Sequence, residues 1–200
     1  MLIAIVSLKG GVGKTTTAIH LCSYLHSDQQ TLLIDADRNR SALVWAREDN
    51  LPFTVASLAG SAAFIPKHQH IVTDMKAGPE EEELADLAKG NELIVIPTTP
   101  NHLDLDATVK AVEMLKKHSF SNYKILLTKV DSRTTNSRTA RLFLEQENIP
   151  LFKAEIPLLI AFEKASQNGR TVRDYSDQRA KLAWKKYKEV GKEILDISID

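Results

Sequence analysis

Cysteine is nearly absent from this chain of 200 residues: Cys22 stands alone. An intrachain disulfide is therefore excluded, a cysteine-held iron–sulfur cluster has no ligand set within the chain, and a reducing cytoplasm is the expected setting. No apolar run approaches membrane-spanning length. The opening stretch Met1–Val6 is six residues long, carries no basic leader and runs straight into a glycine-rich loop, so it reads as a strand rather than a signal peptide. Net charge is also lacking, with 26 Lys and Arg against 26 Asp and Glu, so the chain as a whole does not announce nucleic acid. There is no repeat and no long linker. At 43% hydrophobic and 26% charged, 1–200 reads as a single domain able to bury one good core.

What is present is an alternation of short apolar runs with helical patterns, which predicts an α/β fold: a doubly wound, mostly parallel sheet with helices on both faces. The expected strands are Leu2–Ser7, Thr31–Asp35, Phe53–Ser57, His70–Asp74, Leu93–Pro97, Tyr123–Thr128 and Leu151–Ile156. Helices are expected to start at Lys14, Ser41, Glu80, Leu103, Asn136, Phe162 and Asp177. Such sheets bind ligands beyond the carboxyl ends of their strands, so the residues that end each strand carry the functional information.

The first strand ends in Ser7-Leu8-Lys9-Gly10-Gly11-Val12-Gly13-Lys14-Thr15-Thr16. Glycines let the backbone turn several N–H groups toward one point, and a helix starting at Lys14 aims its positive end at the same place, so β- and γ-phosphates are the natural guests. Lys14 reaches those phosphates and Thr15 ligates Mg²⁺ in such a loop. Leu8 stands where the commonest pattern has its first glycine, and Lys9 is a second departure.

With Lys9, the run Lys9-Gly10-Gly11-Val12-Gly13-Lys14-Thr15 resembles the deviant Walker A motif of the ParA/MinD ATPases. The resemblance implies a P-loop NTPase fold, ATP with Mg²⁺, and a Lys9 that crosses a homodimer interface to the phosphates held by the partner subunit. It is strong at the phosphate loop and weaker along the rest of the chain. The implied nucleotide contacts are Lys9, Gly10, Gly11, Val12, Gly13, Lys14, Thr15 and Thr16. Thr128 stands where relatives often carry an asparagine against adenine, and Pro157-Leu158 offer an alternative adenine wall.

The second strand ends Asp35-Ala36-Asp37. Two acids at a strand tip with no local basic partner suit Mg²⁺, through a coordinated water at Asp35, and an attacking water, positioned by Asp37; the competing reading is a pair of turn-capping aspartates. Asp-x-Asp agrees with the resemblance, whereas Arg38-Asn39 replaces the Pro-Gln that usually follows. Asp74 ends another apolar strand, where an acid suits Mg²⁺ held through water and the competing reading is a turn residue, so the expected metal set is Thr15, Asp35 and Asp74.

Charge is unevenly placed. From Lys164 to Lys192 there are nine Lys or Arg against three acids, while Asp74 to Glu92 carries seven acids against two lysines. A dimer doubling the basic face could hold DNA phosphates without reading sequence, with Arg170, Arg173, Lys181, Lys185, Lys186 and Lys188 as the expected contacts; the competing reading is the solvated face of a helix. Trp184, Tyr187, Ile194 and Leu195 fall on one side of the last helix, which suits packing on the domain more than membrane entry. The resemblance then implies an ATPase that dimerises on ATP, binds nonspecific DNA on the nucleoid, answers to a ParB-like or other adaptor and positions DNA or another cargo. A MinD-like membrane-associated ATPase and a metabolic enzyme on the same fold are the alternatives.

Overall fold

The computed structural model describes residues 1–197; the last three residues of the single-domain reading lie outside the described residues. Six strands form one all-parallel sheet in the order β3-β2-β4-β1-β5-β6. They are β1 (Leu2–Ser7), β2 (Thr31–Ala36), β3 (Thr54–Ser57), β4 (His70–Ala77), β5 (Leu93–Thr98) and β6 (Tyr123–Leu127). The helices are α1 (Lys14–Leu25), α2 (Ser41–Trp45), α3 (Glu81–Gly90), α4 (His102–Lys117), α5 (Asn136–Gln146), α6 (Ala161–Gln167) and α7 (Gln178–Ile197).

The sheet is covered on both sides, and the period of two along each strand divides its residues between two cores. From β1, Ile3 and Ile5 join the core beneath α1, α6 and α7, while Ala4 and Val6 join the core beneath α3, α4 and α5. The same split runs along β5, with Leu93 and Val95 on the first face and Ile94 and Ile96 on the second.

One expected strand is absent. Leu151–Ile156 runs beside β6 but forms only one isolated bridge with it, Ile125 to Leu151; a second bridge, Val130 to Pro157, lies just past the ends of both segments. Its backbone N–H groups still find partners: Phe152 N donates to Ile125 O at 2.9 Å and Ile156 N to Leu127 O at 2.9 Å. Short 3₁₀ turns at Ala46–Glu48, Leu58–Ala63, Ile65–Lys67 and Val172–Asp174 were not expected from the sequence.

Helix α7 closes the first core through Tyr187, Val190 and Ile194, with Trp184 and Leu195 partly buried against it, and it lies close on α1. The approach is tight at Gly191, where a Cβ would fall inside the ring of Tyr24. Gly191→Ala is therefore expected to destabilise the fold by about 1–3 kcal/mol through forced separation of α1 and α7, read as a lower urea midpoint; an unchanged midpoint would show that Tyr24 swings clear freely. Among the described residues no helix is long and apolar enough to cross a membrane.

Candidate nucleotide site

The phosphate loop leaves β1 in the middle of the sheet. Gly11 and Gly13 take positive φ of 78° and 92°, a conformation that side-chain-bearing residues rarely adopt, and Gly13 caps α1. Helix α1 begins with no side-chain cap and no acid in its first turn, so its leading N–H groups are left for an anion. By contrast, Asn101 caps α4 with its side-chain oxygen.

Lys14 is buried at 7% exposure, and burial pushes its pKa down, partly offset by Asp74 and then Asp37. Strand register sets the acids beside it: Asp35 of β2 is directly opposite Asp74 of β4. Burial lifts the Asp74 carboxyl to about 7, against the hydrogen bond from Thr15, with Asp35 adding to the rise. The Thr15 hydroxyl donates to Asp74 Oδ2 at 2.6 Å, while Asp74 Oδ1 is buried without a hydrogen-bond partner. A buried, unpartnered carboxylate oxygen beside a threonine hydroxyl fits a hydrated divalent cation, so Thr15 and Asp74 are the residues able to hold Mg²⁺ together with nucleotide phosphates.

Asp35 sits differently from that pair. Its Oδ1 accepts from Asp37 N at 3.1 Å and its Oδ2 from Leu43 N at 2.9 Å, so the carboxylate holds the turn into α2. Asp37 is half-buried, accepts from Asn39 N at 2.9 Å and lines the phosphate cavity with Lys14, Thr15 and Ala77. Lys9 is exposed, and it is not among the residues lining that cavity.

A second cavity of about 420 Å³ adjoins the first and is walled by Ile156, Pro157, Leu158, Leu159 and Phe162, with Trp45 and Tyr187 also lining it. Its size and apolar lining suit a nucleoside. Pro157 and Leu158 are both in the wall. Thr128 also lines it, but its hydroxyl donates to Val12 O at 2.7 Å and Thr98 O at 3.1 Å, so that group braces the phosphate loop instead of facing a base. Thr128→Val, which keeps the shape and removes the buried hydroxyl, is expected to lose about 1–3 kcal/mol in urea unfolding and to loosen nucleotide binding; unchanged stability would mean that the brace contributes nothing.

Sequence reasoning missed the aromatic bed of this cavity. His20, fully buried, stacks on Tyr187 at 4.8 Å and meets Trp45 and Phe162 edge-on at 5.9 and 5.3 Å. Its Nδ1 pairs with Thr16 O at 2.7 Å and its Nε2 accepts from Val172 N at 3.1 Å, which places the proton on Nδ1. Burial lowers its pKa to about 4. The spacing of His20 from the loop gave a helix position but no sign of partners 150 residues away.

The basic residues separate. Lys181, Lys185, Lys188 and also Lys192 are exposed along α7 at spacings of four, three and four, a stripe on one helix face. Lys186 instead pairs with Glu189 at 2.7 Å, and Arg173 donates to Ser27 Oγ at 2.9 Å and lies 5.7 Å from the Trp184 ring centre. Arg170 is exposed, and its carbonyl accepts from Trp45 Nε1 at 2.9 Å.

A family model described as the CobQ/CobB/MinD/ParA nucleotide binding domain matches residues 3–172. The Maintenance of carboxysome distribution protein A of Gloeobacter kilaueensis is 31% identical over 200 residues, covering 96% of this chain and 93% of that protein. In fold, the chain superposes on a plasmid partition protein of Borrelia burgdorferi bound to AMPPNP with a TM-score of 0.76 at 15% identity, over 97% of this chain and 98% of the other. An ATP complex of Cyanothece McdA gives 0.75 at 17% identity, over 97% and 95%.

Proposed function

Because the chain belongs to the CobQ/CobB/MinD/ParA nucleotide-binding family and is an ATPase of the ParA/MinD type, we propose that it is a positioning switch whose dimer is closed by ATP and opened by hydrolysis. The observation that carries this is the division of labour between two lysines: Lys14 is buried inside the phosphate cavity, and Lys9 is exposed outside it, free to serve a second copy. In the proposed dimer Lys14 and the loop N–H groups neutralise the γ-phosphoryl charge, the partner's lysine adds to this, and Asp37 orients water for attack, giving ADP and phosphate. Mg²⁺, held by Thr15 and, through water, Asp74, would supply further charge neutralisation at the phosphates. Asp35 acts beside it by fixing the turn that carries Asp37.

The lysine stripe of α7, doubled in the dimer, supports contact with nonspecific DNA and a place on the nucleoid in the cytoplasm. An adaptor protein that stimulates hydrolysis would link the switch to its cargo. The Gloeobacter relative is named for carboxysome distribution, which favours a protein compartment over a plasmid as that cargo.

The test is solution mass with ADP and with a non-hydrolysable ATP analogue, each followed by retention on arbitrary duplex DNA. A dimer is expected with the analogue alone, with DNA retention falling steeply between about 50 and about 200 mM salt. Lys9→Ala should bind nucleotide but stay monomeric. A monomer in both states would sink the switch, and dimers that bind anionic vesicles instead of DNA would favour a membrane-associated positioning ATPase.

A further inference from the structure

We propose that Lys129 is a nucleotide-binding residue that bridges the nucleoside and phosphate cavities and sets affinity for ADP and ATP alike. The inference rests on the ATPase reading of the site.

The two cavities share five lining residues, Gly13, Thr16, Trp45, Lys129 and Ser166, and of these Lys129 carries the only charge. A nucleotide lying across both would set its α-phosphate at this joint, between the nucleoside wall and the loop that holds the β- and γ-phosphates.

The backbone at Lys129 gives the second observation. Thr128 N donates to Thr98 O of β5 at 2.8 Å, while Val130 N donates to Ile156 O at 3.0 Å and Val130 O accepts from Leu158 N at 2.9 Å. The chain changes partners across one residue, and Lys129 makes the change with φ at 51°. Among the described residues four other non-glycine residues have positive φ, and all lie at helix ends: Arg40 opens α2, Asp49 closes the Ala46–Glu48 turn, and Ser119 and Asn148 follow the caps of α4 and α5. Lys129 alone among them follows a strand.

Glycine or asparagine would take that backbone with less strain. The fold gains nothing from a lysine there: the side chain is exposed and makes no hydrogen bond or ion pair with any described residue. Strain kept at a site without a structural return marks function. A cation at the joint faces the phosphate common to ADP and ATP, in contrast to Lys14 in the phosphate cavity and, in the proposed dimer, a second copy's Lys9 at the γ end. Lys129 therefore contributes holding strength and leaves the switch itself to the other two lysines.

Calorimetric titration of Lys129→Gly and Lys129→Met with ADP and with AMP-PNP, alongside thermal melts of the nucleotide-free proteins, tests this. Both variants should bind both nucleotides about tenfold more weakly, by the same factor for each. The melting temperature of Lys129→Gly should equal or exceed the parent's, so that stability and affinity move apart. The proposal fails if either variant binds both nucleotides as the parent does, if only AMP-PNP binding weakens, or if Lys129→Gly loses stability together with affinity. A parent that binds neither nucleotide overturns the ATPase reading and this proposal with it, whereas a parent that binds both while its Lys129 variants match it overturns this proposal alone.

Discussion

Lys14→Ala is expected to fold at least as well as the parent and to lose nucleotide binding by at least a hundredfold, about 3 kcal/mol. The two effects have one cause. Lys14 is buried in the phosphate cavity, where loss of solvent disfavours its charge more than Asp74 and Asp37 restore it, so its pKa is lowered in the nucleotide-free protein. That charge is held against a cost until phosphate arrives, and removing it relieves the cost while deleting the anion's nearest fixed cation. Calorimetry with ADP and an ATP analogue, together with a melt of the free protein, separates the two. A variant that unfolds would mean that the lysine stem packs the core, and Lys14→Met, which keeps the stem, would then fold and still fail to bind. Unaltered binding in Lys14→Ala would remove the phosphate loop from the site.

The second large effect is on stability. His20 has a pKa of about 4 in the fold against 6.5 for the free group, because burial disfavours its charged form. Between those values the unfolded chain takes up a proton that the native ring does not, so this contribution to stability is complete above pH 6.5 and is lost as pH falls toward 4. The shift is worth about 3 kcal/mol. Asp74 works against it: its carboxyl, raised from 3.8 to about 7, makes stability fall as pH rises through the same window. The two contributions oppose each other in the parent, so the effect of His20 is read as a difference between proteins. The stability gap between the parent and His20→Phe should widen by about 3 kcal/mol from pH 4 to pH 7 in urea titrations; a gap that stays constant would mean that His20 is not buried as a neutral ring.

Local chemistry explains why so much was legible beforehand. The glycines, Lys14 and Thr15 act through backbone freedom and contiguous spacing, and both survive without knowledge of the rest of the chain. The strands of the central sheet were readable because a parallel strand covered on both faces must be apolar throughout, as β1 and β5 are. Leu151–Ile156 alternates instead, with Lys153 and Glu155 between its apolar residues, and it does not complete a ladder; an alternating pattern alone does not report pairing. Asp35 is the parallel case among polar residues: an acid at a strand tip suits a metal or a turn equally, and only the structure shows that two backbone N–H groups of the turn donate to its carboxylate. On α7 the spacing of four, three and four that brings Lys192 into the stripe was present in the sequence, whereas the pairing of Lys186 with Glu189 and the seat of Arg173 between Ser27 and Trp184 depended on where helices meet.

By itself, then, the sequence determined a phosphate loop on a parallel α/β sheet, since each of its signals is written in neighbouring residues and in periods of two and three to four. The tertiary structure alone decided what surrounds that loop: the register that sets Asp35 against Asp74, the Thr128 brace under Val12, the stacking of His20 on Tyr187 and the turn that sets Lys129 between two cavities. These depend on contacts between residues far apart in the chain, where burial and a fixed geometry, rather than residue type, determine which group is left free to act.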